Sequence, residues 1–313
     1  MPKLSIIVLS KNNGRTIGFT LASIVKSKVP RGCEKEIIVC DARSTDLTAK
    51  ILKKFRKRIK IIYDEGRGIG IARNISVRAS TGDIICFVDA DTIVSRDHFE
   101  KIVEAFTKGF DIVDVHGIPP PKVLMSWTKI GRMEGYVWLY GRAYIDERML
   151  RNRRFAGGSF MCFKREVFEK VKGFWSYPPF GADDMDFSYR ASKRGFKIGV
   201  TRVYGSYSIP RQTLLDLFHE QYNWGRGFAY LVAKYRNDKE FLKAYKFKIT
   251  FLRNPVQYFF LRLLFSPLGA FKLSLRARKV SLLYYWTVRR FFFFIGFITA
   301  LKPALKFYGK SVS

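Results

Sequence analysis

The chain has 313 residues, 48% of them hydrophobic, which is enough for one large domain or two modest ones with a real core. Lys and Arg number 57 against 26 Asp and Glu, and the formal net charge of +31 points to an anionic partner: nucleic acid, an acidic membrane surface or a phosphorylated substrate. No helix-turn-helix, zinc or RNP pattern accompanies that charge, which argues against nucleic acid. The cysteines Cys33, Cys40, Cys86 and Cys162 have no close pairing, so they read as small core residues of a reducing compartment.

Pro2 and Lys3 lead, without a signal-peptide pattern, into the apolar run at 4–9. Strands are expected at 4–9, 36–40, 59–63, 84–88 and 112–115, alternating with helices at 15–26, 46–55, 69–79 and 96–106. That alternation is the pattern of an α/β fold with a mostly parallel sheet. In 50–60 (KILKKFRKRIK), Ile51, Leu52, Phe55 and Ile59 fall at helical spacing, so the basic residues there coat a solvated face. Residues 117–154 lose the alternation. A strand at 159–163, helices at 165–172 and 184–194, the stop Gly195 and a strand at 197–204 resume it.

After Pro210 a helix is expected over 214–235, with aromatic and charged residues mixed on its faces. Segments 255–271 and 280–301 are apolar and aromatic, yet neither reads as a clean spanning helix. Arg262, Pro267 and Gly269 interrupt the first, and Arg289 with Arg290 sits near the middle of the second. A charge at the bilayer centre costs about 2.5–3.5 kcal/mol even on lenient scales. Basic residues flank both segments on every side, and all of those flanks would prefer the cytoplasm. The segments are therefore expected to be interfacial, re-entrant or hairpin-like, the alternative being a buried helical subdomain. The expected organisation is a catalytic domain at 1–208, amphipathic interface helices at 209–250 and a membrane-associated region at 251–313.

Four stretches carry chemistry. Asp41 follows a buried strand, where a carboxylate can accept from a nucleobase N–H or a ribose hydroxyl, or can simply close a turn. Gly66, Gly68 and Gly70 lead into a helix whose amides can face an anion, with Arg73 one turn in. Asp89 and Asp91 end the continuously apolar strand at 84–88 in GDIICFVDADT. Two carboxylates there are costly unless paired, and the usual partner is a hard divalent cation that can hold a diphosphate. Asp183, Asp184 and Asp186 open a helix; one Asp would satisfy its N-cap, and three repelling carboxylates suit a general base.

These residues, in this order, resemble the family 2 glycosyltransferases, nucleotide-sugar enzymes of GT-A fold. The resemblance covers about residues 3–230: LSKNN with Ser10 and Asn12, Asp41 with STD behind it, GIGIARN, the Asp89/Asp91 stretch, GGSFMCFKREVFEKVKGFW and DDMDF. It implies that Ser10, Asn12, Asp41, Gly70, Arg73 and Asp89 bind the nucleotide. It further implies that Asp91, assisted by Asp89, holds Mn²⁺ or Mg²⁺, and that Asp184 is the catalytic base with Asp183 and Asp186 as assisting acids. The sequence departs from the family at Asp41-Ala42-Arg43-Ser44, where relatives often carry a second Asp, and VYGSYSIP lacks the metal-binding His that many relatives place there. His98, His116 and His219 show no metal-ligand spacing and read as structural or surface residues. HEQYNWGRG is similar to the acceptor-holding interface segment of cellulose-synthase-like members, with Gln221, Trp224 and Arg226 in place of its usual Gln-x-x-Arg-Trp; Trp224 reads equally as an interfacial anchor.

The resemblance implies an inverting, metal-dependent transfer of a hexose, best matched by mannose from GDP-mannose, to a lipid-linked glycan. Its setting would be a cell membrane, with the catalytic domain on the cytoplasmic face, in an archaeal pathway such as N-glycan precursor synthesis. The implied partners are a GDP- or UDP-hexose donor, the lipid-linked acceptor and the membrane, with no nucleic acid. A polyprenyl-phosphate hexose synthase is the near rival, but its acceptor is already an anion and leaves the cluster at 183–186 without a task. A sugar-phosphate nucleotidyltransferase would share the sheet but not the aromatic, basic tail, and a basic nucleic-acid or membrane binder is the alternative from another class.

Overall fold

The structure is a computed structural model describing residues 2–141, 155–177, 181–244, 260–261 and 264–309. Its strands are β1 (Lys3–Ser10), β2 (Glu34–Asp41), β3 (Lys60–Tyr63), β4 (Ile84–Phe87), β5 (Thr92–Ile93), β6 (Ile112–Ile118), β7 (Met161–Lys164), β8 (Ile198–Tyr204) and β9 (Tyr207–Ser208). Helices α1 (Ile17–Lys26), α2 (Thr48–Phe55), α3 (Ile69–Arg78) and α4 (His98–Thr107) alternate with the early strands. They are followed by α5 (Pro121–Ser126), α6 (Lys129–Tyr136) with a π-turn at Val137–Gly141, α7 (Arg165–Val171) and α8 (Asp183–Lys193). The chain continues through α9 (Leu214–Lys234), α10 (Lys239–Ala244), α11 (Ser266–Ala277) and α12 (Ser281–Gly309).

Two compact units result: Met1–Pro120 with Ile145–Pro179 and Asp183–Ile209, and Pro121–Tyr144 with Phe180–Ala182 and Pro210–Ser313. The first holds a seven-stranded sheet ordered β3-β2-β1-β4-β7-β6-β8, in which β7 alone runs antiparallel to its neighbours. Its central strands are apolar on both faces, as expected of strands covered on both sides by helices. On one face Ile6, Val8, Ile37 and Val39 pack against Ile17, Leu21 and Ile24 of α1, Leu52 of α2 and Phe99 and Ile102 of α4. On the other, Ile7, Ile38, Ile85 and Phe163 meet Val77 of α3, Val167 of α7 and Phe187 of α8. The stripe Ile51, Leu52, Phe55 and Ile59 packs into the first of these cores, and the basic residues between them lie outside, as their spacing requires.

The region at 117–154 that loses strand–helix alternation contains α5, α6 and the π-turn, short helices whose patterns are too brief to read from periodicity. Thr128 caps α6 by accepting from the Gly131 amide at 3.2 Å, and Thr213 caps α9 by accepting from the Asp216 amide at 3.1 Å. In the second unit Met133, Val137, Leu217, Leu273, Ala277, Leu282 and Tyr285 make one apolar cluster. In segment 255–271, residues 255–259 and 262–263 lie outside the described residues, and Ser266 onward forms the start of α11. Segment 280–301 becomes part of a single helix of 29 residues, the one described helix long and apolar enough to cross a membrane by length and composition.

Candidate active site

The parallel strands deliver their carboxylates to one edge of the sheet. Ser10 at the end of β1 is registered with Asp41 at the end of β2, and Asp41 with Tyr63 at the end of β3. Val88 continues β4 by donating to the Ile7 carbonyl at 3.0 Å, so Asp89 emerges on the same edge one residue later. Open α/β sheets bind ligands outside the carboxyl ends of their strands, and that is where these groups collect.

Asp41, 1% exposed, accepts from the Ser44 amide at 2.9 Å and from the Ser44 hydroxyl at 2.6 Å. Asn12, with φ of 54°, ties the loop after β1 to the loop after β2: its amide donates to Ser44 Oγ at 2.8 Å, and its Oδ1 accepts from the Thr45 amide at 2.9 Å. Asn12 and Ser44 thus shape the floor on which Asp41 sits, and each carboxylate oxygen of Asp41 keeps a second lone pair for a ligand. Ser10 Oγ and Asp64 Oδ1 are buried polar atoms without a hydrogen-bond partner, placed beside Asp41 by the register. Buried polar groups are normally satisfied, so two orphans at the carboxyl edge mark a place for a polar ligand. Asp64, which follows β3, is a group that sequence reasoning missed; its signal was an acid directly after a predicted strand.

Gly70 packs so closely that a Cβ there would run into the Trp175 carbonyl, which seats α3 against the loop after α7. Arg73, 3% exposed, lies between the rings of Phe87 and Phe174, 5.3 and 5.4 Å from their centroids, and donates to Asp183 Oδ2 at 2.5 Å. Burial opposes its charge, but the carboxylates of Asp183, Asp184 and Asp89 overcome that and raise its pKa. The guanidinium thus ties α3 to the acidic helix.

Burial pushes the Asp183 carboxyl up against the pull of Arg73. Asp184 is half-buried, and burial, reinforced by Asp183, pushes its carboxyl up to about 6, while Arg73 and the Met185 and Gly158 amides oppose the shift. A carboxylate with that pKa is near neutral pH, where a general base works best. Asp186, fully buried, is held by Arg190 at 2.7 Å, and Arg190 also donates to the Gly173 and Val171 carbonyls. That pairing ties α8 to the end of α7. Gly158 is a second residue missed from sequence: a Cβ there would strike the Arg73 guanidinium and come within 3.0 Å of Asp184 Oδ2.

Asp89 and Asp91, both half-buried, sit in a turn closed by the Thr92 amide donating to the Asp89 carbonyl at 3.1 Å. The two-stranded β5–β9 sheet clamps that turn: Thr92 pairs with Ser208, and the Ile209 amide donates to the Asp91 carbonyl at 2.8 Å. The segment without a His is therefore the one laid against Asp91. Among the described residues no group of three or more His, Cys, Asp or Glu could hold a metal unaided. Two hard carboxylate oxygens nonetheless fit Mg²⁺ or Mn²⁺, ions that take one or two protein carboxylates and complete their shell with phosphate oxygens and water. His98 is buried against Ser206 at 2.9 Å, with burial holding its pKa near 3; His116 is buried beside Asp114 at 3.2 Å; His219 is exposed.

Gln221, Trp224 and Arg226 belong to α9 in the second unit. Gln221 is buried and donates to Glu220 Oε2 at 3.2 Å. The exposed Trp224 ring has the Arg289 guanidinium 5.7 Å from its centroid, and Arg226 lies over Tyr222 at 5.7 Å.

A mostly parallel sheet with helices on both faces and carboxylates along its carboxyl edge defines a GT-A-like α/β domain. Residues 5–172, more than half of the chain, match the glycosyl transferase family 2 domain, so the chain belongs to that family and is a glycosyltransferase. Among curated relatives, the poly-beta-1,6-N-acetyl-D-glucosamine synthase of Staphylococcus aureus is 24% identical over 229 residues, covering 72% of this chain and 54% of the relative. The Staphylococcus epidermidis synthase is 22% identical over the same coverage. The chain thus spans about half the length of the curated relatives it matches. A solved mannosyltransferase from Pyrobaculum calidifontis, in complex with GDP-Man and Mn²⁺, shares the fold with a TM-score of 0.67 at 19% identity, covering 96% of this chain and 88% of that one.

Proposed function

We propose that the protein is an inverting, metal-dependent transferase that moves a hexose from a nucleotide diphosphate sugar to a hydroxyl of a lipid-linked glycan at the cytoplasmic face of a membrane. The observation that carries this reading is the half-buried Asp184 carboxyl beside the Arg73–Asp183 ion pair that locks the acidic helix to α3, a setting in which burial pushes its pKa up. Asp184 would take the proton of the acceptor hydroxyl, whose oxygen attacks the anomeric carbon as the bond to the diphosphate oxygen breaks on the opposite side, leaving a nucleoside diphosphate. Ser10, Asp41 and Asp64 would hold the nucleoside through their polar atoms at the strand ends. Asp89 and Asp91 would hold Mn²⁺ or Mg²⁺, which when bound supplies charge stabilisation for the departing diphosphate.

Mannose from GDP-mannose is the donor we favour, in line with the ligand of the Pyrobaculum protein. Gln221, Trp224 and Arg226 would handle the acceptor, an aromatic ring beside cations suiting a sugar–phosphate chain. In this reading residues 1–208 carry the chemistry, 209–250 form the interface and 251–313 associate with the membrane, as in the assembly of a glycan precursor. A polyprenyl-phosphate synthase is disfavoured because an anionic acceptor has no use for the base at Asp184. The test is donor screening with GDP-mannose, UDP-glucose and UDP-N-acetylglucosamine against membrane lipid extract. Transfer from GDP-mannose to an acceptor hydroxyl, lost in Asp184→Asn, is the expected result; transfer only from UDP-N-acetylglucosamine would overturn the donor, and transfer only to a lipid phosphate would overturn the acceptor.

A further inference from the structure

From Phe241 to Ser313 the sequence contains fourteen Lys and Arg and no Asp or Glu. The two described helices of that stretch with extended apolar surface leave it uncovered. On α11 and the turn before it, Leu261, Leu264, Phe265, Leu268, Phe271 and Leu275 recur at helical spacing and are all exposed, Leu268 by 71%. On α12, Tyr284, Phe291, Ile298 and Leu305 are exposed at intervals of seven, a stripe about 32 Å long at 1.5 Å per residue. Exposed apolar stripes of this extent need a partner, and the uniformly basic charge around them selects an anionic one.

The packing of α12 says how that partner is met. Near its start, Tyr285 donates to Glu134 Oε2 at 2.5 Å, Arg289 pairs with Glu134 Oε1 at 3.2 Å, and Trp138 Nε1 donates to the same carboxylate at 3.0 Å. Further along, α12 runs beside α9: Phe292 meets Phe218, Phe293 and Phe297 meet Phe228, and Phe307 meets Tyr230. Gly225 and Gly296 mark the crossing, since a Cβ on either would strike the other helix's backbone, and Arg236 donates to the Tyr308 carbonyl at 3.4 Å. Over that span α9 carries His219, Glu220, Asn223, Arg226 and Lys234. Passing α12 through a bilayer would draw these polar and charged groups into hydrocarbon, where such groups are strongly disfavoured.

We propose that the C-terminal region docks on an anionic lipid bilayer surface with α12 lying along the interface rather than crossing it. This rests on the membrane setting of the proposed function and specifies its geometry. The exposed stripes of α11 and α12 enter the headgroup boundary, and Lys272, Arg276, Lys302 and Lys306 meet lipid phosphates.

The test uses the full chain added to preformed phosphatidylcholine vesicles with or without phosphatidylglycerol. The expected result is co-sedimentation with the anionic vesicles, weakened by added salt and by Leu268→Glu, and lowered about tenfold or more by Lys272→Glu with Arg276→Glu. In separate variants, Val280→Cys and Lys306→Cys flank most of α12; both should react with a membrane-impermeant maleimide from outside without detergent, the modified sites being located by mass spectrometry. A site protected until detergent is added would overturn the interfacial arrangement in favour of a spanning helix. Equal binding to neutral and anionic vesicles would overturn the role of charge. Absence of binding to either would overturn the docking surface itself, and sugar transfer by the same preparation to a water-soluble acceptor would show that the glycosyltransferase chemistry stands independently.

Discussion

Arg73 on α3 and Asp183 at the start of α8, 110 positions apart, form an ion pair of 2.5 Å that is almost wholly withdrawn from solvent. Removing one partner of such a pair leaves a buried, uncompensated group, at a cost of about 3–5 kcal/mol. Arg73→Met and Asp183→Leu should each destabilise the protein by that order. The double variant should lose clearly less than the sum, as measured by denaturant unfolding in a double-mutant cycle. Strict additivity would show that the two groups do not depend on each other.

Asp184 should set the pH dependence of transfer. Its carboxyl has to be ionised to act as a base, so with a pKa of about 6 in the free protein kcat/KM should rise with pH through that value and then level. Asp184→Asn should abolish transfer to a hydroxyl acceptor while nucleotide binding stays nearly intact. The check is a pH–rate profile combined with donor titration.

The same residue makes a stability prediction of opposite sign. A carboxyl whose folded pKa lies above its unfolded value of 3.8 favours folding below that value and loses the contribution as pH rises through about 6. At neutral pH, Asp184→Asn should therefore raise Tm, and the gain should shrink toward zero on acidification to below 3.8. Calorimetry at the two pH values tests this, and a Tm gain independent of pH would mean that Asp184 is not strained by its ionisation.

Asp91→Asn should remove metal-supported donor affinity. Calorimetric titration of nucleotide sugar with and without Mn²⁺ should show a metal-dependent gain in the parent protein and none in the variant. An unchanged metal-supported affinity would assign the cation elsewhere.

Gly158→Ala should lower transfer more than donor binding, because the new Cβ displaces the Arg73 guanidinium and crowds Asp184. KM and kcat measured together separate the effects: a fall in kcat with little change in donor KM is expected.

The sheet was legible from sequence because its central strands are continuous apolar runs and its helices are periodic. The run at 84–88 became β4, and the helix opened by the acidic triplet became α8 from Asp183. The places of Asp41 and Asp89 along the sheet edge followed, since a residue at the end of a parallel strand has little choice of place. Partnerships did not follow. Nothing in GIGIARN announces that Arg73 reaches Asp183, or that FAGGSF supplies the glycine beside its guanidinium, because Arg73 lies 85 positions from Gly158 and 110 from Asp183. The β5–β9 pair was equally invisible: strands of two residues carry no periodicity, yet they clamp the Asp89–Asp91 turn. Along α12, an apolar run interrupted by Arg289 and Arg290 looked like a broken span, and the Glu134 carboxylate that accommodates Arg289 lies more than 150 residues earlier.

The glycine-on-glycine crossing of Gly225 and Gly296 leaves no side chain between two helix backbones to act as a cushion. The two helices are geared together there as one strut. Tilt or rotation of α12, whatever surface it rests on, must carry α9 with it, and with α9 the side chains of Gln221, Trp224 and Arg226. A change in the surface under α12 would therefore reach these three side chains as a movement of the helix that carries them.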